Sequence, residues 1–271
     1  MKYDLIAIDI DGTLIDPYRK ITKPVFDAIQ RVVKAGGKIV LCTGRPFPGA
    51  EGYMKELGLT REGDYIITYH GALAQRTDTG EIMVNHQLSH DDMMKWHDLA
   101  KEHGSNFQAV RNDGVYSEQV DFTPKALDEA YLNNMPLRVR TLSELDKDMG
   151  FSKLMMNNTE EVTQTLVDNV PAEYRKEYTI TRSGPDAMEV LNIEADKGHT
   201  LRELAEVLDI PSERVMAIGD FENDLGMLEF AGLGVAMGNA VAEVKDIADV
   251  ITGTNAEHGV AQAIDNFFFE D

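Results

Sequence analysis

Residues 5–14 read Leu-Ile-Ala-Ile-Asp-Ile-Asp-Gly-Thr-Leu, and this stretch decides the fold. The run from Leu5 to Ile10 is apolar apart from Asp9 and stops at Asp11-Gly12. Near-continuous apolarity over a few residues, closed by a glycine turn, marks a strand buried on both faces, as in a parallel sheet. Similar runs recur at Lys38 to Cys42, Tyr65 to Tyr69, Val215 to Ile218 and Asp249 to Thr252. Helical patterns lie between them. Thr22 stands as the cap of a helix carrying Pro24 in its first turn, Val25, Ile29, Val32 and Val33 on one side, and Gly36-Gly37 at its end. A second helix is predicted from Lys197 to Leu208, with Leu201, Leu204, Ala205 and Leu208 on one face. A third follows Asn255, with Val260, Ile264 and Phe267 inward. Strand and helix alternate, which predicts an α/β fold with a Rossmann-like, doubly wound parallel sheet.

The middle of the chain breaks this rhythm. Asp91 to His103 and Glu160 to Asn169 read as helices, and Asn106 to Tyr116, Ser152 to Met156 and Tyr178 to Thr181 as extended segments. The expected organisation is a split catalytic core of residues 1–84 and 190–271, with residues 85–189 inserted as an α+β cap. Trp96, with Met93 and Leu99, is expected in the core of that cap.

Composition narrows the function. The chain has 271 residues, 43% of them hydrophobic and 27% charged, the profile of a folded globular protein with its own core. Forty-seven acids against 26 bases give a net charge of −21, which opposes binding to nucleic acid or to anionic lipid. Cys42, the single cysteine, cannot form an intrachain disulfide, and a reducing compartment is expected. Asp4 and Asp9 stand where a signal peptide would need an apolar core, and no apolar run approaches about 20 residues. A cytoplasmic location is therefore expected.

In an open parallel sheet, ligands bind beyond the carboxyl ends of the strands. The residues at those ends are Asp9 to Leu14, Thr43-Gly44-Arg45, and Gly219-Asp220-Phe221-Glu222-Asn223-Asp224; Lys197 opens the helix that precedes the last of these strands. Asp9 and Asp11, two apart, would share a face on a regular strand. With Asp220 and Asp224 they would make a cluster of four carboxylates, each raising the others' pKa. A divalent cation stabilises such a cluster, and an all-oxygen donor set favours Mg²⁺. Lys197 supplies a compact positive charge for phosphate, and Thr43 with the backbone N–H of Gly44 can donate hydrogen bonds to it.

These segments resemble the four motifs of the haloacid dehalogenase superfamily of phosphatases: Asp9-Ile10-Asp11-Gly12-Thr13-Leu14, Thr43, Lys197, and Gly219-Asp220 through Asn223-Asp224. The Thr-Gly-Arg-Pro at 43–46, the Glu-Ala-Asp-Lys-Gly-His-Thr-Leu at 194–201 and the inserted segment resemble its Cof-type, class IIB-capped branch. The resemblance implies Asp9 as nucleophile and Asp11 as general acid, then general base. It implies Mg²⁺ held by Asp9, Asp11 (through its backbone carbonyl) and Asp220, with Asp224 a further carboxylate of the metal shell, direct or through water. It implies phosphate bound by Thr43, Gly44, Lys197, Asn223 and the backbone N–H of Ile10. His70, in Thr68-Tyr69-His70-Gly71-Ala72, stands where relatives commonly carry asparagine.

The expected activity is a phosphatase acting on small phosphorylated metabolites, sugar phosphates foremost, with neither nucleic acid nor membrane as partner. A homodimer is admitted. The competing expectations are a sugar phosphomutase, or a non-catalytic phospho-acceptor or metabolite-binding module.

Overall fold

The computed structural model describes residues 1–122 and 124–269. The chain forms two compact units: Met1–Gly44, Glu51–Asn85 and Asp196–Asp271 make one, Arg45–Ala50 and His86–Ala195 the other.

In chain order the strands begin with β1 (Leu5–Asp9), β2 (Lys38–Cys42), β3 (Tyr65–Thr68), β4 (Leu73–Arg76) and β5 (Ile82–Asn85). The second unit contributes β6 (Asn106–Arg111), β7 (Gly114–Ser117), β8 (Leu137–Val139), β9 (Lys153–Asn157), β10 (Tyr178–Gly184) and β11 (Ala187–Asn192). The first unit resumes with β12 (Val215–Gly219), β13 (Leu233–Ala236) and β14 (Val250–Ile251).

The first unit is built on an eight-stranded sheet in the order β14-β13-β12-β1-β2-β3-β4-β5. The six strands from β14 to β3 pair in parallel, so the α/β expectation holds. Every residue of β1 and β12 is buried, which is why both read as near-continuous apolar runs, broken in β1 only by Asp9 at its end. From β1 the chain winds outward through β2 and β3, then returns to lay β12 on the other side of β1. The reversal leaves a crevice past the carboxyl ends of β1 and β12, the place where such sheets bind ligands.

Several local expectations are corrected. The first strand ends at Asp9 rather than Ile10, and Ile10–Leu14 forms a wide turn with Asp11 exposed. Asp9 and Asp11 therefore do not share a strand face. The third strand ends at Thr68, because Tyr69 takes a left-handed φ of 52° that no strand accommodates. Thr22 precedes the helix Lys23–Lys34, but its hydroxyl pairs with His258 Nδ1 at 3.0 Å instead of capping. After the helix Gly259–Ala263 the winding widens over Ile264–Phe268, which turns Phe268 inward in place of Phe267. The sequence reading also missed the antiparallel pair β4 and β5 at the sheet's edge.

The second unit holds a six-stranded sheet in the order β10-β11-β9-β6-β7-β8, antiparallel except for β7 with β8. One face carries Phe107, Ala109, Leu154, Met156, Met188 and Val190 into a hydrophobic cluster with Met93 and Trp96 of the helix His90–Glu102. Leu99 packs against it partly buried. That helix starts at a capping box in which Ser89 and Asp92 satisfy each other's backbone N–H groups.

Candidate active site

Asp9 closes β1 and Gly219 closes the adjacent β12, so Asp9 and Asp220 issue side by side. Asp220 leads into a short turn, Glu222–Asp224, that brings Asp224 back beneath it. The helix Lys197–Val207 begins with its first residue in the same place. Asp196 fixes that start by accepting from the N–H groups of Gly198 at 2.8 Å and His199 at 2.9 Å.

Lys197 is fully buried, and its Nζ lies 2.6 Å from Oδ1 of Asp9 and 2.6 Å from Oδ1 of Asp224. The second oxygen of Asp224 accepts from the backbone N–H groups of Asp220 (2.9 Å) and Phe221 (3.1 Å). Both oxygens of Asp224 are thus engaged in holding the lysine and the turn. Thr13 donates to Asp220 Oδ1 at 2.8 Å. Asn239 donates to the carbonyl of Gly12 at 2.9 Å and, more weakly, to Asp220 Oδ2 at 3.4 Å.

Oxygens of Asp9, Asp220 and Asp224 lie within 4.8 Å of one another. The expected cluster of four carboxylates is therefore three. Asp11 stands outside the set with its side chain exposed, although its charge still acts on Asp220. The physical reason is the turn after Asp9, which carries Asp11 off the strand. Ile10 is fully buried in that same turn.

The electrostatics show too little positive charge for this much acid. Burial pushes Asp9 well above the usual carboxylate range, against the pull of Lys197, and the charges of Asp224 and Asp220 push the same way. Burial also raises Asp220 to about 6, with Asp224 adding to the rise and the Thr13 hydrogen bond opposing it. Burial works against the ammonium of Lys197, yet Asp224 and Asp9 outweigh it and hold Lys197 charged. One lysine faces three acids, the donors are all oxygen, and they are close together; this donor set fits a hard divalent cation.

The phosphate-binding candidates sit around this cluster. Thr43 follows β2 and is buried; its N–H donates to the carbonyl of Ile67 at 2.9 Å. Asn223 lies in the turn between Asp220 and Asp224, with Nδ2 3.1 Å from His70 Nδ1. Gly44 lies against the same imidazole: a Cβ at Gly44 would stand 2.3 Å from the ring. Cys42 is buried, and burial drives its thiol upward, away from any thiolate role.

Sequence reasoning missed Asn239 and assigned no role to Thr13 or His70. Asn239 lies just past the end of β13, after Met237 and Gly238, so the strand-end rule applied one strand further and extended into the following turn would have found it.

Comparison with known proteins agrees with this architecture. Residues 6–264 match the family of haloacid dehalogenase-like hydrolases. YxeH of Bacillus subtilis (strain 168), which its name classes with the phosphatases, is 42% identical over 262 residues, covering 97% of each chain. YcsE of the same organism, named as a 5-amino-6-(5-phospho-D-ribitylamino)uracil phosphatase, is 34% identical, covering 96% of this chain and 94% of that one. A haloacid dehalogenase-like hydrolase from Bacteroides thetaiotaomicron superposes with a TM-score of 0.89 at 30% identity, over 98% of this chain and 100% of the other. The chain belongs to the haloacid dehalogenase-like hydrolases. It is an enzyme, a phosphoric monoester hydrolase.

Proposed function

We propose that the protein is a Mg²⁺-dependent phosphatase that hydrolyses small phosphorylated metabolites, sugar phosphates foremost, through an aspartyl-phosphate on Asp9. The observation that carries this reading is the buried Asp9, held at 2.6 Å by Lys197 and grouped within 4.8 Å with Asp220 and Asp224. The substrate class draws support from YcsE, whose named substrate is a phosphorylated sugar alcohol joined to a uracil.

Asp9, Asp220 and the backbone carbonyl of Asp11 would hold the cation, with Asp224 behind them. Mg²⁺ bound there would neutralise charge on the phosphoryl oxygens and favour the ionised form of Asp9. The chain's own groups do the rest. A carboxylate oxygen of Asp9 attacks phosphorus while the bond from phosphorus to the leaving oxygen breaks. Asp11 gives that oxygen its proton and is left as carboxylate. Asp11 then takes a proton from water, the water oxygen attacks phosphorus, and the bond to Asp9 breaks, releasing inorganic phosphate. Lys197, Thr43, Gly44, Asn223 and the N–H of Ile10 bind the phosphoryl oxygens throughout, and such positioning with charge neutralisation carries most of phosphoryl-transfer catalysis.

On the same reading the enzyme is cytoplasmic and works on free metabolites, with neither nucleic acid nor membrane as partner, as a monomer or a homodimer. Among the described residues no helix is long and apolar enough to cross a membrane.

The test is phosphate release from sugar phosphates, nucleotides and cofactor phosphates, with and without Mg²⁺. Release that stops with EDTA and returns with Mg²⁺ is expected. Formation of an isomeric sugar phosphate would instead mark a phosphomutase, and negligible turnover of every substrate would mark a phospho-acceptor or binding module.

A further inference from the structure

We infer that His70 is the positioning residue of the phosphate pocket, holding Gly44 and Asn223 in their working places; the inference rests on the reading of those two residues as phosphate ligands.

The turn that follows β3 is strained. Tyr69, His70 and Gly71 all take left-handed backbone angles, φ of 52°, 57° and 103°. For a residue with a side chain this conformation is costly. It persists where the surroundings over-determine it, and such places cluster at functional sites. Here the surroundings are visible. Ala72 N–H donates to the carbonyl of Tyr69 at 3.1 Å, and Thr200 Oγ1 donates to the carbonyl of Gly71 at 2.6 Å. A Cβ at position 71 would stand 2.4 Å from the backbone of Asp196, so only glycine fits beside the start of the Lys197 helix.

This turn delivers His70 to two separate strand ends. Its backbone N–H donates to the carbonyl of Thr43 at 3.0 Å. Its ring lies so close over Gly44 that any side chain there would collide with Cε1 at 2.3 Å and Nε2 at 2.4 Å. Its Nδ1 lies 3.1 Å from Nδ2 of Asn223, so the amide donates to the ring and keeps its second N–H for another acceptor. Thr43 and Gly44 follow β2 and Asn223 follows β12, strands separated in the sheet by β1. One imidazole thus spans both groups. These contacts are to the phosphate-binding residues rather than to the carboxylate cluster, so His70 acts on binding and orientation rather than on bond making.

The geometry dictates the variants. Glycine at position 70 accepts the left-handed backbone and deletes the ring. Asparagine places an amide oxygen near the position of Nδ1 and tolerates left-handed angles; glutamine places its oxygen farther out, near Nε2. The readouts are kcat and KM for p-nitrophenyl phosphate with Mg²⁺, and Ki for inorganic phosphate. His70→Gly is expected to raise KM and Ki about tenfold, the scale of one lost hydrogen bond, with a much smaller change in kcat. His70→Asn is expected to recover most of that loss and His70→Gln little of it. In a double-mutant cycle, His70→Gly is expected to cost less in an Asn223→Ala background than it does alone, since part of its effect runs through that residue and the rest through Gly44.

A Ki unchanged in His70→Gly while Asn223→Ala raises it would overturn the inference and leave the phosphatase reading intact. Independent, multiplying effects of the two substitutions would also overturn it. A Ki unchanged in Asn223→Ala would remove Asn223 as a phosphate ligand, and the role given to His70 would fall with it. Thermal unfolding of each variant separates lost binding from lost fold, and the comparison of Asn with Gln stands even if glycine destabilises the chain.

Discussion

The ammonium of Lys197 lies 2.6 Å from Oδ1 of Asp9, although 188 positions separate the two residues in sequence. Lys197 also meets Asp224 at 2.6 Å, and all three side chains are at most 8% exposed. Burying a charge is tolerable only when it is paired and hydrogen-bonded. The same pairing that holds the buried site together is the one that, on the proposed reading, would ready it for an anion.

Removing the lysine should expose this double role. Lys197→Met leaves Asp9 and Asp224 buried without their cation, a defect on the order of 3–5 kcal/mol. Loss of a preorganised charge at a transferring phosphoryl group costs about 10²–10³ in rate. Stability to urea and kcat/KM for p-nitrophenyl phosphate are expected to fall together. Lys197→Arg is expected not to restore either, because a planar guanidinium cannot replace a point charge between two carboxylates in a closed space. Wild-type kcat/KM in Lys197→Met would refute the assignment.

Asp9→Asn tests the nucleophile separately from the fold. The amide keeps an acceptor oxygen facing Lys197, so thermal unfolding is expected to change little. Turnover is expected to drop by about 10⁵-fold or more, the scale seen when a covalent nucleophile is lost. Acid-quenched enzyme incubated with radiolabelled substrate is expected to carry label in the wild type and none in the variant. Label retained on the Asp9→Asn variant would place the phosphoryl group elsewhere.

On the proposed metal site, Asp220 would set the pH response of cation binding. Its pKa is raised to about 6, so below that pH it carries a proton that a cation must displace. Affinity for Mg²⁺ is expected to fall as pH drops through 6, by up to about tenfold per pH unit from Asp220 alone, with Asp9, which is also raised, adding to the loss. Calorimetry in buffers of different ionisation heat is expected to show proton release on binding that grows as pH falls toward 6. Thr13→Val removes the hydrogen bond that lowers Asp220, which moves the transition to higher pH. A pH-independent affinity would remove Asp220 from the donor set.

What the sequence disclosed follows from which interactions are local. The strand from Leu5 and the helix from Lys197 were legible because burial on both faces and a helix start leave marks on adjacent residues. Asp9, Lys197 and Asp220 were legible as a group because parallel strands deliver their ends to one edge. The exit of Asp11 was not, since a wide turn after Asp9 depends on Gly12 at φ 88° and on Asn239 gripping its carbonyl from 227 positions away. His70 was visible as an unusual residue but not as a contact. Its left-handed backbone is imposed by Thr43 and by the neighbours of Gly71, and no local pattern encodes those partners.

Gly12 offers a test of that turn with an internal control. Gly12 and Gly36 have nearly the same backbone, φ of 88° and 91°. A Cβ at Gly12 would stand 2.3 Å from Oδ2 of Asp220, whereas one at Gly36 would meet nothing within 4 Å. Alanine at either position carries the same left-handed penalty, roughly 1–2 kcal/mol, so Gly36→Ala reports that penalty alone while Gly12→Ala adds the cost of its clash with Asp220. Only Gly12→Ala should displace Asp220. Its Mg²⁺ affinity and kcat/KM are expected to fall by at least about tenfold, the scale of disturbing a group that supports a metal ligand, while Gly36→Ala keeps both. Equal activity in the two variants would mean that Asp220 yields to the methyl group without consequence, and the close approach of the turn to Asp220 would then have no part in the chemistry.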